Sequence, residues 1–503
     1  MEQPRVAARL AAPGRAGSTA ILLFVFSVLL YAPTLLAGFC HDDQTVVVGN
    51  SHVHGRPMPL AAIFTSSYLA GAGRDDGSYR PLAILSFAVA DRPSTGSAFW
   101  QHLTSVLLNA VVTVLLFVVS RRPFGLRAAA IAAALFASHP VHAEAVAYVT
   151  GRAEVLALGF GLTAAWLHQR GRAALAAPFV LAALLSKETA LTTPFLLAAA
   201  VLVFDRDHRT RALWPLAAFA VYLVARVGVV GGFDVPTGDA RSFVTNPLTA
   251  LSPVERLLPA LSLQGAYLVK LVAPIRLSVD YSYAAIDAAS AVSLPRVLAA
   301  SAAAVGTVWL LVRDRVLGAV ALAGWVTFVP FNNTLLPGGT IFAERLLYMP
   351  SAFAAVLLGS ALARLDRRRA AAIGLALVVL LSARTVVRVA DWSDDHALFK
   401  AAYEGGSADS VIVLHNYAYH LTKDGEHRDL ELAARLLERA RAIHPDFGAP
   451  LVTLGGIYMR LGRVGEARRA IDAHLARHPD DARARRVRDE LLASDGARRA
   501  IAR

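Results

Sequence analysis

The run STAILLFVFSVLLYAPTLLA at residues 18–37 leads directly into GFCHDDQ at residues 38–44. An uncharged apolar stretch of that length is enough to cross a bilayer as one helix. The pair Asp42-Asp43 then stands where the chain would leave the lipid. Carboxylates at such a place are costly unless they are solvated or used. The chain therefore reads as a membrane protein with two candidate proton acceptors at the rim of its first helix. The bland reading of the same pair is a solvated helix boundary.

Composition agrees with a membrane location. Hydrophobic residues make up 56% of the 503 residues and charged residues only 17%, against about a quarter charged in soluble chains. The formal net charge is +13, nearly all of it from Arg. These basic residues are divided among short loops between apolar runs, as in loops retained on the cytoplasmic side. No basic stripe with interleaved aromatics points to nucleic acid. Cys40 is the single cysteine, so an internal disulfide and a multi-thiolate metal site are excluded. Leu36-Ala37-Gly38-Phe39-Cys40 comes near a lipoprotein cleavage box, but Phe39 separates the small residues from the thiol. An uncleaved first helix is expected.

Apolar runs recur near 19–37, 103–120, 128–147, 154–168, 173–185, 190–204, 212–230, 293–312, 318–336, 345–364 and 370–388. They predict an all-α polytopic bundle of about eleven transmembrane helices over residues 1–389. Arg5, Arg9 and Arg15 place the N-terminus in the cytoplasm, and residues 38–102 become the first external loop. Arg121-Arg122, Arg170, Arg206, Arg313 and Arg367-Arg368-Arg369 then fall in alternate loops on the cytoplasmic side. This register requires that residues 258–273, with Lys270 and Pro274, do not cross but lie re-entrant or interfacial within a long external loop at 231–292.

From residue 390 charge rises and a period of 34 appears, with His444-Pro445 recurring as His478-Pro479. Leu454-Gly455, Tyr458, Ala467 and Ile471 between them match a tetratricopeptide repeat (TPR). Asn416-Tyr417-Ala418, Leu421, Ala433, Leu437 and Ala440 form a looser preceding repeat, with extra residues near Lys423-Asp424-Gly425. Residues 390–503 are therefore expected to be a short TPR array ending in a charged helix, on the external side. Such an array offers a groove for a protein acceptor or partner.

The predicted external loops collect the unusual polar residues: Asp42, Asp43 and Arg80; His139, His142, Glu144, Arg152 and Glu154; Lys187 and Glu188; Glu344 and Arg345. No Gly-x-Ser-x-Gly elbow suggests a serine hydrolase. His139-x-x-His142 with Glu144 lacks a third ligand at diagnostic spacing, so no metal is assigned. A lipid-phosphate sugar donor suits the inventory. Its leaving group needs no strong acid, the acceptor hydroxyl needs a base such as a carboxylate, and the phosphate charge needs cations. Asp43 is the first choice of base and Asp42 the second. Arg345, Arg152, Lys187 and Arg80 are the candidate phosphate ligands, with His139, His142, Glu188 and Glu344 as further contacts. Lys187 is the only lysine in the first 269 residues, and its bland reading is an interfacial lysine paired with Glu188. No bound cofactor is required by this chemistry.

The ordered motifs Phe39-x-x-Asp42-Asp43, Tyr79-Arg80-Pro81-Leu82, His102-Leu103 with Asn109, and His139-Pro140-Val141-His142-Ala143-Glu144 resemble a known family. So do Gly151-Arg152-Ala153-Glu154, Ser186-Lys187-Glu188, Asp280-Tyr281-Ser282-Tyr283 and Glu344-Arg345-Leu346-Leu347-Tyr348. The family is the transmembrane O-mannosyltransferases that carry C-terminal TPRs. The resemblance implies a fold of the GT-C glycosyltransferase type, a polyprenyl-phosphate-linked mannose donor, and transfer to Ser or Thr hydroxyls. It also implies that the acid of the first external loop activates the acceptor, and it brings Glu144 in as the next acid. The Ala- and Arg-rich composition suits a high-GC bacterium, so the expected place is a bacterial inner membrane with the site facing the periplasm. A non-enzymatic TPR-bearing scaffold, a transporter, and a GT-C enzyme acting on lipid or polysaccharide are the alternatives.

Overall fold

The computed structural model describes residues 13–232, 240–285, 292–334, 337–423, 425, 428–445 and 449–501, and the described residues contain helices and no strand. Arg5 and Arg9, Asp424, and parts of the 231–292 loop lie outside the described residues.

The longer helices of the membrane part are α1 (Pro13–Tyr31), α2 (Ala98–Ser138), α3 (Arg152–Gln169), α4 (Ala173–Leu184), α5 (Thr193–Phe204), α6 (Leu213–Val230), α7 (Pro253–Val272), α8 (Leu294–Arg313), α9 (Arg315–Phe328), α10 (Tyr348–Leu362) and α11 (Arg367–Ala390), with the shorter Pro81–Ala90 among the connecting segments. The repeat part consists of α12 (Asp395–Glu404), α13 (Val411–Leu421), α14 (Leu430–Ile443), α15 (Ala449–Arg460), α16 (Val464–Leu475) and α17 (Ala482–Ile501).

Among the described residues, six stretches are long and apolar enough to cross a bilayer: Gly14–Leu36, Ala98–Ser138, Arg206–Val230, Leu294–Arg313, Glu344–Leu362 and Arg367–Ala390. Pro140–Val146 with Val149–Gln169, bent by 97°, makes up to seven. Each of the eleven expected segments overlaps a helix. Several are short: Ala173–Leu184 has 12 residues and Arg315–Phe328 has 14. At 1.5 Å per residue these reach roughly 20 Å, less than a hydrocarbon core of about 30 Å.

The 41-residue α2 is a hairpin of two limbs. Tyr348 donates to Asn109 Oδ1 at 2.7 Å and its ring lies 5.3 Å from that of Phe136. An unbroken helix would hold residues 109 and 136 about 40 Å apart. The reversal falls at Pro123 and Gly125, where φ is 81°. Only glycine takes that conformation readily, and proline withholds a helical N–H.

The hairpin sorts the loops into two ends. Gln169 donates to Val119 O at 3.1 Å, Arg127 to Leu365 O at 2.9 Å, and Arg364 pairs with Asp314 at 2.8 Å. The Arg211 guanidinium sits beside Gly171. The arginine-rich loops thus meet at one end, and the loops bearing Asp42, Glu144, Lys187 and Arg345 meet at the other.

Helix α7 opens with a capping box between Ser252 and Glu255 and has Pro253 in its first turn. Its face with Val254, Leu258, Val269 and Val272 is exposed, whereas Ser262 and Tyr267 are buried. Ser262 Oγ accepts from Ser293 N at 3.1 Å, and Leu271 O meets His139 Nε2 at 3.0 Å. Its middle and its C-terminal end therefore both lie at the polar end, an arrangement a full crossing would not give.

The repeat helices have their own core of Leu414, Tyr417, Ala433, Leu437, Leu454, Tyr458, Ala467 and Ile471, to which Val244, Val279 and Tyr283 of the long loop are added. Gly455 admits Ile471, since a Cβ there would lie 2.6 Å from its Cδ1.

Candidate active site

Asp42 and Asp43 follow α1 after a short 3-10 turn that begins at Ala32-Pro33, and they diverge completely. Asp43 is fully buried. Its carboxylate accepts from Thr150 N at 2.8 Å, Thr150 Oγ1 at 2.7 Å, Val149 N at 3.3 Å and Cys40 N at 3.4 Å. Burial pushes the acid up to about 6, against the opposing pull of these hydrogen bonds. Its acceptor capacity is used in fastening the first loop to the turn that opens α3.

The Asp42 side chain is 60% exposed, with His41 Nδ1 at 3.3 Å from Oδ2. His41 Nδ1 also lies 3.4 Å from the Tyr148 hydroxyl, and Tyr148 stacks on Trp392 at 5.2 Å. Desolvation acts to raise Asp42, but the charge and hydrogen bond of His41, with Tyr148 and Arg345, hold it well below the usual carboxylate range. Burial acts to lower His41, but Asp42 outweighs it and raises the imidazole to about 9. Near neutral pH the two form an ion pair at an open face.

Arg345 is 27% exposed and bound to the buried Glu144 twice, through its guanidinium and through its N–H at 2.8 Å. Glu144 therefore has its oxygens directed at one arginine, and the arginine keeps donors for something else. Arg80 Nε pairs with Glu188 at 2.7 Å while its guanidinium lies over the Tyr68 ring. Glu188 also receives Arg226 at 3.4 Å.

Lys187 does not pair with Glu188. Its Nζ lies 3.0 Å from Glu154 Oε1, and Thr189 donates to the other Glu154 oxygen at 2.7 Å. Lys187 has extended backbone, where neighbouring side chains point apart, so it and Glu188 serve opposite sides. Burial lowers the Lys187 ammonium despite the charge of Glu154.

The remaining residues expected to touch phosphate or substrate are turned inward. Arg152 is fully buried over Phe87, donating to Ser105 Oγ at 3.0 Å, Gln101 O at 2.6 Å, Gln101 Oε1 at 2.9 Å and Ser86 O at 3.2 Å. Glu344 is buried among Ser278 N at 2.6 Å, Arg388 at 3.2 Å and the Tyr281 hydroxyl. His142 bonds Ser351 Oγ at 2.7 Å beneath Phe136 and Tyr348, and His139 faces Leu271 O. Among the described residues, no group of three or more His, Cys, Asp or Glu could hold a metal ion.

Four participants escape a reading of loops alone. Tyr148 and His41 flank Asp42, and Arg226 reaches the cluster from within the apolar helix α6. An arginine inside an apolar run is itself a signal of an internal partner. Asp395, at the start of the repeat part, reaches His41 N at 2.6 Å across 354 residues.

Comparison with known proteins gives the same outline. A tetratricopeptide-repeat family profile matches residues 426–491. A protein O-mannosyl-transferase of Caenorhabditis elegans is 28% identical over 76% of this chain and 57% of its own length. Another from Drosophila melanogaster is 28% identical over 84% of this chain and 61% of its own, and one from Mus musculus is 26% identical over 87% and 52%. The chain thus spans somewhat more than half the length of these relatives. The chain is similar in sequence to protein O-mannosyl-transferases, and its described residues form an apolar helical part followed by tetratricopeptide repeats.

Proposed function

We propose that the chain is an inverting glycosyltransferase that moves a sugar, mannose in the first instance, from a polyprenyl phosphate to Ser or Thr hydroxyls of a protein. We place the reaction at the periplasmic face of a bacterial inner membrane, with the N-terminus in the cytoplasm and the repeats outside. The placement is supported by the separation of arginine-rich loops from the acid-bearing end. The GT-C fold type and the protein acceptor rest on the resemblance to the mannosyl-transferases.

The observation that carries the reading is the contrast between the two acids. Asp42 is open, with His41 and Tyr148 beside its carboxylate, while Asp43 has four internal donors. Asp42 therefore becomes the proposed base and Asp43 the anchor of its loop. In the reaction the acceptor oxygen attacks the anomeric carbon from the side opposite the phosphate. The new C–O bond forms, the bond to the phosphate oxygen breaks, the hydroxyl proton passes to Asp42, and the lipid phosphate leaves with the electron pair. Inversion follows from that geometry.

Arg345, held by Glu144, is the first phosphate ligand, with Arg80 and Lys187 lending positive charge nearby. Arg152 acts as internal scaffolding. A carboxylate held far below the usual range is a weak base when the site is empty. An anionic donor on Arg345 would offset that arginine's share, smaller than His41's, of the charge that holds Asp42 down, so proton affinity would rise as substrate binds.

The test is transfer from polyprenyl-phosphate mannose to a Ser/Thr peptide by membranes containing the full chain. Asp42→Asn should lower kcat about 10²–10⁴-fold. Full transfer by that variant would remove Asp42 as the base, and no transfer by the unaltered chain would favour a scaffold. Sugar recovered only on lipid or polysaccharide would keep the base and replace the acceptor.

A further inference from the structure

The segment that carries Asp42 is held from the repeat side of the molecule. His41 has φ of 52°, the left-handed region, and the other described non-glycine residues with positive φ, Ala284 and Asn333, lie in different loops. An L-residue there is strained and persists when its surroundings impose it. The surroundings are specific. His41 N–H donates to Asp395 Oδ1 at 2.6 Å, and Gly38 N–H donates to Ser393 O at 2.8 Å. The His41 ring lies 5.8 Å from that of Phe399, on the same helix α12 as Asp395.

On the far side of Asp42, Asp43 is fixed to Val149 and Thr150. Residues 38–43 are therefore clamped at both ends by elements remote in sequence, and the Asp42 carboxylate is what the clamp leaves projecting. The second Asp395 oxygen is 3.6 Å from His420 Nε2 on α13. A continuous set of contacts thus runs from the repeats through Asp395 and His41 to Asp42.

We propose that Asp395 is a positioning residue for sugar transfer. By accepting the His41 N–H it fixes the left-handed turn that aims Asp42 at the acceptor, which makes the first helix of the repeat part a component of the catalytic apparatus. This rests on Asp42 being the base.

A double-mutant cycle tests it, because glycine enters the left-handed region without help. In the full chain in membranes, Asp395→Ala should lower kcat about 30- to 100-fold, the scale of loss for a misaimed reacting group. The donor KM should stay within about twofold, and Asp395→Asn, which keeps an acceptor oxygen, should restore most of the rate. In a His41→Gly background, the further loss from Asp395→Ala should shrink to less than about fivefold. Should Asp395→Ala not accumulate, Asp395→Ser enters the same cycle. Equal losses in the two backgrounds, or wild-type kcat for Asp395→Ala, overturn the proposal. If Asp42→Asn is inactive while Asp395→Ala is not, only the positioning role fails; if Asp42→Asn is active, the underlying reading fails as well.

Discussion

Thr150 gives Asp43 two hydrogen bonds at once, one from its backbone N–H at 2.8 Å and one from its hydroxyl at 2.7 Å. A single residue at the start of α3 thereby ties down the loop that emerges from α1. Asp43→Ala would strand these buried donors and should destabilise the protein by about 2–4 kcal/mol. Thermal unfolding in detergent measures this.

The same acid sets a pH dependence. Its folded pKa of about 6 lies above the ordinary value of 3.8. Its contribution to stability is therefore fully present below about pH 3.8 and is lost as pH rises through 6. Asp43→Asn should flatten the stability curve across that window, by about 3 kcal/mol at most. An unchanged slope between about pH 4 and 6 would show that Asp43 titrates at its ordinary value.

Much of the fold was legible because its determinants are local. Apolar run length places the helices, arginines mark one end, and the 34-residue recurrence of His-Pro marks the repeats. The ranking of Asp42 against Asp43 was not legible, because it depends on Thr150, which is 107 residues away, and the aim of Asp42 depends on Asp395. The bland alternative for Lys187, a pair with Glu188, is not formed for a local reason: extended backbone turns adjacent side chains apart. The number of full crossings is not legible in the same way, because apolar composition does not distinguish a full crossing from a buried half-length helix.

Glu144 and Arg345 make a separable prediction. Arg345→Lys keeps the charge but loses the planar fork that reaches Glu144 and an anion together. It should lower kcat/KM for the donor by about tenfold or more, a loss of roughly 1.4 kcal/mol. Glu144→Ala leaves the cation without its buried partner and should cost about 3–5 kcal/mol of stability. If Arg345→Lys leaves donor kinetics unchanged, Arg345 is not a phosphate ligand.

Helix packing supplies a test independent of chemistry. A Cβ on Gly265 would come 2.0 Å from Arg296 O, and one on Gly359 would come 2.6 Å from Ala128 O. Small residues permit such close helix approach in membranes. Gly265→Ala and Gly359→Ala should each cost about 1–3 kcal/mol through forced backbone shifts. Gly306→Ala, with nothing within 4 Å, should instead gain up to about 1 kcal/mol. Equal melting temperatures for the three variants would contradict the packing of α7 on α8 and of α10 on α2.

Asp280 joins the long loop to the repeats. Its Oδ2 accepts from Ser282 Oγ at 2.6 Å and Ser410 Oγ at 2.5 Å, and its carbonyl accepts from Ser407 Oγ at 2.9 Å. Ser410 is also the N-cap of α13, accepting from Val413 N at 3.1 Å. Asp280→Ala leaves that buried hydroxyl without its carboxylate and should cost about 1–3 kcal/mol. The loss should be local, because the cap and the hydrophobic core of the repeats remain. Hydrogen exchange should therefore speed up in residues 405–415 before it does in the membrane helices. The exposed pair Arg439–Asp409 is the control, and Asp409→Ala should cost less than about 1 kcal/mol. Uniform exchange in Asp280→Ala, matching the parent chain at the start of α13, would mean that apolar contacts alone seat the repeats on the loop.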